Sequence, residues 1–216
     1  MLSAEMIVNQ QDRETRAWHH SAAGAAWPAS AALGEPEANW LRLVSDQHFA
    51  NFELWHIEDE ARVPAASDSE IASVKRRIDP VNQRRNDLAE GLDLALLAWL
   101  EPRGLPNPAA ALHSESLGMM IDRLSILALK IYHTREEGER ADAPAGHAER
   151  NRQRLAILEE QRCDLCACVD ALWHEILAGT RRFKLYRQLK MYNDPSLNPA
   201  VYRNSGQSRQ AKVAAG

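Results

Sequence analysis

A histidine and a carboxylate one helical turn apart form the first group in this sequence that could do chemistry. His56 and Asp59 fall within a predicted helix, so their side chains lie on the same side of it. Such a pair can ligate a metal ion, or act as a base that a carboxylate orients. A core histidine hydrogen-bonded to a neighbour is the alternative interpretation of His56.

A row of carboxylates and amides on the next predicted helix forms the second group. Glu90 and Asp93 share one helix face, which can hold Mg²⁺ and leave positions open for phosphate oxygens. Asn82 and Asn86 continue the same edge, and a solvated charged face is the alternative interpretation. The sequence therefore predicts four catalytic or metal-ligating residues, with Mg²⁺ as the candidate ion: His56, Asp59, Glu90 and Asp93.

Two arginines interrupt apolar stripes that are predicted to face the core. Arg85 and Arg162 stand where a buried apolar residue is expected, and Asp122 lies among apolar neighbours of another helix. A buried guanidinium needs a carboxylate or phosphate partner, so we expect Arg85 or Arg162 to pair with an acid from a different helix. A ligand site and a purely structural ion-pair network both remain open. The predicted ligand-binding residues are Arg62, Asn82, Arg85, Asn86, Asp122 and Arg162.

The elements that position these residues are predicted to be helices. Helical spacing and capping signals predict helices over 4–19, 36–62, 116–137 and 148–179, and one that begins at Asp68 after a Ser67 capping box. Pro80 is expected to kink or divide that helix, and 180–192 is expected to continue as helix. No strand pattern is found. Antiparallel packing across 63–68 is expected to bring the two polar groups together.

Length and charge narrow the class of protein. The 216 residues, 45% apolar and 26% charged, fit one all-α domain, a bundle of about five helices. The expected organisation is an N-terminal helix and connection at 1–35, the bundle at 36–203 and a disordered tail at 204–216. The net charge of -4 argues against nucleic-acid binding, and no segment is apolar enough for a membrane span. We expect a cytoplasmic protein, and a homodimer is compatible with the sequence.

Four ordered motifs closely resemble the bacterial domain of unknown function family 4254. They are 51–62 (Asn-Phe-x-Leu-Trp-His-x-Glu-Asp-x-Ala-Arg), 78–87 (Ile-Asp-x-x-Asn-Gln-x-Arg-Asn-Asp), 116–130 (Ser-x-Gly-x-Met-Ile-Asp-Arg-Leu-Ser-Ile-Leu-x-Leu-Lys) and 190–199 (Lys-Met-Tyr-Asn-Asp-Pro-Ser-Leu-Asn-Pro). Members tend to be associated with genes for envelope polysaccharide synthesis. The resemblance therefore implies, by association, chemistry of sugar phosphates or nucleotide sugars.

Two hypotheses follow for the function. In the first, the protein binds or processes a phosphorylated sugar or nucleotide, with His56, Asp59, Glu90 and Asp93 as Mg²⁺ ligands or as acid and base. The arginines would then hold the phosphate. In the second, the protein is a non-catalytic helical accessory or scaffold for a glycosyltransferase or an assembly complex, and its polar row is a buried specificity network.

Overall fold

The described part of the chain folds as a bundle of five α-helices. The computed structural model describes residues 2–20, 36–187, 189 and 196–199. The helices are α1 (Ala4–His20), α2 (Pro36–Glu60), α3 (Asp68–Leu100), α4 (Leu117–Glu139) and α5 (His147–Leu177). A single 3₁₀ turn, Glu101–Arg103, follows α3. This architecture confirms the predicted all-α bundle.

All five helices belong to one compact unit, Met1–Leu185. A second unit, Tyr186–Gly216, is described only at residues 186–187, 189 and 196–199. The predicted tail at 204–216 lies outside the described residues. None of the described helices is both long and apolar enough to span a membrane.

Helix α4 lies at the centre, because α1, α2, α3 and α5 all pack against it. Its buried side chains include Leu117, Ile121 and Leu124, and they join core residues from α1, α3 and α5 such as Ile7 and Trp173. Gly118 permits the close approach of α3. A Cβ atom there would lie 2.2 Å from the carbonyl oxygen of Ala89.

Helix α3 begins as predicted and then departs from prediction at Pro80. The Ser67 hydroxyl accepts from the amide of Glu70, whose side chain accepts from the backbone of Ser67, so the capping box is formed. The expectation that Pro80 divides the helix is wrong, since α3 continues through it. Pro80 is exposed, so water can hydrogen-bond to the carbonyl that lacks a helical partner.

A short parallel pairing replaces the helix predicted after α5. Gly179 adopts a φ of 71°, a left-handed conformation that ends the helix. The next residues form β2 (Arg181–Arg182), which pairs with β1 (Ala111–Leu112). The helix predicted over 180–192 is therefore wrong for 180–187 and 189, and the rest of that range lies outside the described residues. Strands of two residues are too short to show an alternating pattern.

Candidate functional site

Three of the predicted site residues line one cavity between α2, α3 and α4. Asp59, Arg62 and Arg85 surround a volume of about 410 Å³. The remaining wall comes from α2 and α4, and consists of Asn51, Leu54, Trp55, Glu58, Ile126 and Leu129. The cavity thus combines apolar walls with a few charged groups, which is the usual composition of a small-molecule site.

Arg85 is held in this cavity by Asp122 of α4. Its Nε donates to Asp122 Oδ1 at 2.8 Å, and its Nη2 donates to Oδ2 at 2.5 Å. The two side chains are 23% and 13% exposed. Hydrogen bonding to Asp122 raises the pKa of Arg85, so the guanidinium stays charged. The expected pairing of a stripe arginine with an acid of another helix is therefore confirmed.

Asp122 also begins a chain of buried hydrogen bonds across the bundle. Gln47 and Asn51 of α2 both donate to its Oδ1, and Asn51 also donates to Ser125 Oγ. Ser125 in turn contacts His48 Nδ1 at 2.7 Å. These side chains tie α2 to α4 beside the cavity, and they fix the carboxylate that holds Arg85.

His48 is the innermost member of this chain, and the sequence interpretation missed it. Its Nε2 lies 2.8 Å from Thr15 Oγ1 and 3.0 Å from the carbonyl of Gln11, so Nε2 carries the proton and Nδ1 accepts from Ser125. Burial lowers the pKa of His48 to about 3, which keeps the ring neutral. The available signal was its helical spacing, since His48, Asn51 and Phe52 share one face.

Asp93 performs a structural task at the start of α4. It is 3% exposed and accepts from the amide of Gly118 at 2.7 Å and from the Ser116 hydroxyl. Burial raises the pKa of Asp93 to about 6, and the nearby charge of Glu90 adds to that rise.

The structure does not bring Asp93 to His56 and Asp59, so the expected meeting of the two polar groups is wrong for Asp93. Asp93 touches Gly118, whereas the ring of His56 lies 5.8 Å from that of His133, fifteen residues further along α4. At 1.5 Å per residue the two places are about 22 Å apart. Helix α2 runs antiparallel to α3, so the end of α2, which carries His56 and Asp59, packs against the first half of α3. Asp93 lies in the second half of α3.

The remaining predicted residues lie outside the cavity. Arg162 of α5 donates from Nη1 to both oxygens of Asp12 in α1, at 2.8 and 2.9 Å. That pairing was expected, but it joins a different pair of helices. Asn82 and Asn86 are half-buried on α3 and do not belong to the cavity wall.

His56 instead meets two histidines that the sequence interpretation did not identify. His19 of α1, His56 of α2 and His133 of α4 each present a ring nitrogen, and these three atoms lie within 4.8 Å of one another. Trp55, which lines the cavity, stacks on His133 with ring centroids 4.9 Å apart. The three histidines come from distant parts of the sequence, so no local spacing could have grouped them.

A comparison with protein families supports the resemblance found in the motifs. The family model described as "Protein of unknown function (DUF4254)" matches residues 41–185. No curated protein and no solved structure matches this chain.

Proposed function

This chain belongs to the DUF4254 family of proteins of unknown function, and we propose that its α2–α3–α4 cavity binds a phosphorylated small molecule. The proposed ligand is a sugar phosphate or a nucleotide, including nucleotide sugars. The family resemblance implies this class of ligand by association, and we propose envelope polysaccharide metabolism as its setting.

The observation that carries the proposal is the way Arg85 is held. Asp122 takes up Nε and Nη2, so the two N–H groups on Nη1 have no role in the ion pair. The guanidinium is fixed in orientation by packing and by a carboxylate that Gln47 and Asn51 support. A cation positioned in advance loses little side-chain freedom when it binds an anion.

Arg62 supplies a second cation at the same cavity. It is 66% exposed, and its ion pair with Glu58 is an i,i+4 pair of 3.3 Å on the protein surface. Such a pair contributes little, so Arg62 can exchange Glu58 for a phosphate at low cost. Two arginines on one cavity suit the planar, two-point recognition of phosphate oxygens.

Asp59 and Glu58 add carboxylates beside these arginines. Carboxylate oxygens are the ligands that Mg²⁺ prefers, and Mg²⁺ commonly joins one or two carboxylates to a substrate phosphate. We propose that Mg²⁺ enters with the ligand at Asp59. His56 has no part in this magnesium set, because imidazole suits transition metals better than Mg²⁺.

Thermal unfolding with a ligand panel tests the proposal. Glucose 1-phosphate, a uridine diphosphate sugar and adenosine diphosphate are added with and without Mg²⁺. A ligand of this class should stabilise the protein by about 2.7 kcal/mol at 100 times its Kd, and more weakly without Mg²⁺. Arg62→Ala should abolish most of the gain.

Arg77→Ala is the matched control. Arg77 of α3 forms an exposed ion pair with Glu60 of α2, but Arg77 does not line the cavity. Its ligand response should equal that of the wild type. Equal responses from Arg62→Ala and wild type would overturn the assignment of the cavity.

The accessory role is the second candidate function, and the buried chain from Asp122 to His48 favours it. A hydrogen-bonded polar network can serve to specify one packing of the bundle, without binding any ligand. If no phosphorylated ligand stabilises the wild type while a glycosyltransferase co-purifies with it, this role replaces the first.

A further inference from the structure

Three histidines from three helices meet beside the cavity, and none of them belongs to the set proposed for Mg²⁺. His19 lies near the end of α1, His56 near the end of α2 and His133 in the second half of α4. One ring nitrogen from each lies within 4.8 Å of the other two. All three side chains are half-buried.

The hydrogen bonds of the Nδ1 atoms fix which nitrogen each ring offers. His19 Nδ1 lies 2.7 Å from the Thr15 carbonyl, and His56 Nδ1 lies 2.8 Å from the Phe52 carbonyl. A carbonyl only accepts, so both Nδ1 atoms carry the proton. His133 Nδ1 lies 2.9 Å from a carboxylate oxygen of Glu136, which requires the same tautomer. In the neutral rings, the lone pair is therefore on Nε2.

Two of these Nε2 atoms have no partner where they lie. His19 Nε2 and His133 Nε2 are buried, and within the described residues neither has a hydrogen-bond partner. A buried polar atom without a partner destabilises the fold, and a ligand atom would relieve that. Burial also lowers the pKa of both rings, which favours the neutral form that can ligate. The pattern of bound Nδ1 and free Nε2 is the one found in histidines that ligate a metal.

We propose that His19, His56 and His133 bind one divalent transition metal ion of the zinc class through Nε2. Zinc–nitrogen bonds of about 2.0–2.1 Å at tetrahedral angles require nitrogen atoms about 3.4 Å apart. One ring nitrogen of each histidine now lies within 4.8 Å of the other two, so the rings must move closer together when the ion binds. Three imidazoles leave one position, which water or a ligand atom completes.

The surroundings favour a transition metal over Mg²⁺. Tyr132 stacks on His19, Trp55 stacks on His133 and Phe52 packs against His56, with ring centroids 4.2 to 4.9 Å apart. These aromatic neighbours are apolar, whereas Mg²⁺ retains several waters and prefers oxygen ligands. Asp59 and Glu136 supply negative charge near His133, which offsets part of the charge of the ion.

The site joins the N-terminal helix to the part of the chain that matches the family model. His56 and His133 lie within residues 41–185, and His19 precedes them. A bound ion therefore links α1 to α2 and α4 in addition to their apolar packing. Since the ligands are neutral imidazoles, binding gives this part of the interior a net positive charge.

Metal titration of the full chain tests this proposal. Metal-free protein should bind one equivalent of Zn²⁺ with a Kd below about 1 μM, measured by competition with a coloured chelator. Co²⁺ should give the visible absorption of a four-coordinate site and be displaced by Zn²⁺. Mg²⁺ should not compete. His19→Gln should weaken Zn²⁺ binding at least about 100-fold.

His20→Gln is the matched control. His20 is the next residue of α1 and makes the same contact, from Nδ1 to the carbonyl four residues earlier, but it is exposed. It should bind Zn²⁺ as the wild type does. If His19→Gln does not fold by circular dichroism, His133→Gln replaces it.

Wild-type protein that takes up no Zn²⁺ would overturn the proposal, and so would equal losses from His19→Gln and His20→Gln. Neither result bears on the phosphate-binding role of Arg62 and Arg85, which are not part of the histidine group.

Discussion

Arg85 and Asp122 form a two-point ion pair that joins α3 to α4, although they are 37 residues apart in sequence. Both side chains are largely withdrawn from solvent, and Asp122 receives further hydrogen bonds from Gln47 and Asn51. The pair therefore combines a structural contact with the positioning of a cation at the cavity. Its structural and ligand-binding contributions can be measured separately.

Arg85→Met should destabilise the fold by roughly 3 kcal/mol, because it leaves the Asp122 carboxylate without its cation in a mostly buried place. Arg77→Met removes an exposed pair and should change the free energy of unfolding little. Urea denaturation of both variants at neutral pH measures the difference. Equal losses would show that the Arg85 pair contributes no more than a surface pair.

Gly118→Ala should destabilise the protein by roughly 1–3 kcal/mol or more, because the new Cβ would lie 2.2 Å from the Ala89 carbonyl oxygen. Gly91→Ala is the control, since its Cβ would meet only the Leu43 side chain at 3.8 Å. Removing a helical glycine there should be neutral or stabilising by up to about 1 kcal/mol. Thermal unfolding of the two variants should thus give shifts of different size, and a harmless Gly118→Ala would contradict the described contact of α3 and α4.

Asp93 should make stability fall as pH rises. Burial raises the pKa of Asp93 in the folded state to about 6, above its ordinary value of 3.8. The folded protein therefore keeps a proton that the unfolded chain releases, and this contribution is present below pH 3.8 and lost as pH rises through 6. Relative to Asp93→Asn, the wild type should lose about 2 kcal/mol between pH 4 and pH 6. Chemical denaturation across that range measures it, and parallel curves would contradict the raised pKa.

His48 should act in the opposite direction. Burial lowers the pKa of His48 to about 3 in the folded state, against an ordinary value of 6.5. The unfolded chain then binds the extra proton, so the contribution is present above pH 6.5 and lost as pH falls toward 3. Between pH 7 and pH 5 the wild type should lose about 2 kcal/mol relative to His48→Gln. Nuclear magnetic resonance should also show no titration of His48 in this range, and a midpoint near 6.5 would contradict its burial.

Local patterns in the sequence predicted those features that depend on neighbours along one helix. The interrupted stripe identified Arg85 as a residue that needs a partner, and the Ser67 capping box located the start of α3. The position of Asp93 could not be found this way. The position of Asp93 depends on the register in which α3 packs against α4. Gly118 sets this register through its close contact with α3.

The same limit explains the missed histidines. His19 and His133 each have an ordinary local environment in the sequence, and only the packing of α1 on α4 brings their rings to 4.9 Å. Helical periodicity gives the face of each residue, but it does not give the partner helix or its register. Sequence reasoning thus recovered part of the cavity and, of the histidine group, only His56.

The response of the Trp55 indole to ligand tests the cavity most directly. Trp55 lines the cavity, whereas Trp173 is buried in the core beside Trp99. In ¹⁵N-labelled protein titrated with a uridine diphosphate sugar and Mg²⁺, the Trp55 indole resonance, assigned with Trp55→Phe, should shift in a saturable way. The Trp173 resonance should not move, and Arg62→Ala should remove the Trp55 shift. An unmoved Trp55 resonance with every phosphorylated ligand of the panel, or an equal shift in Arg62→Ala, would contradict the account.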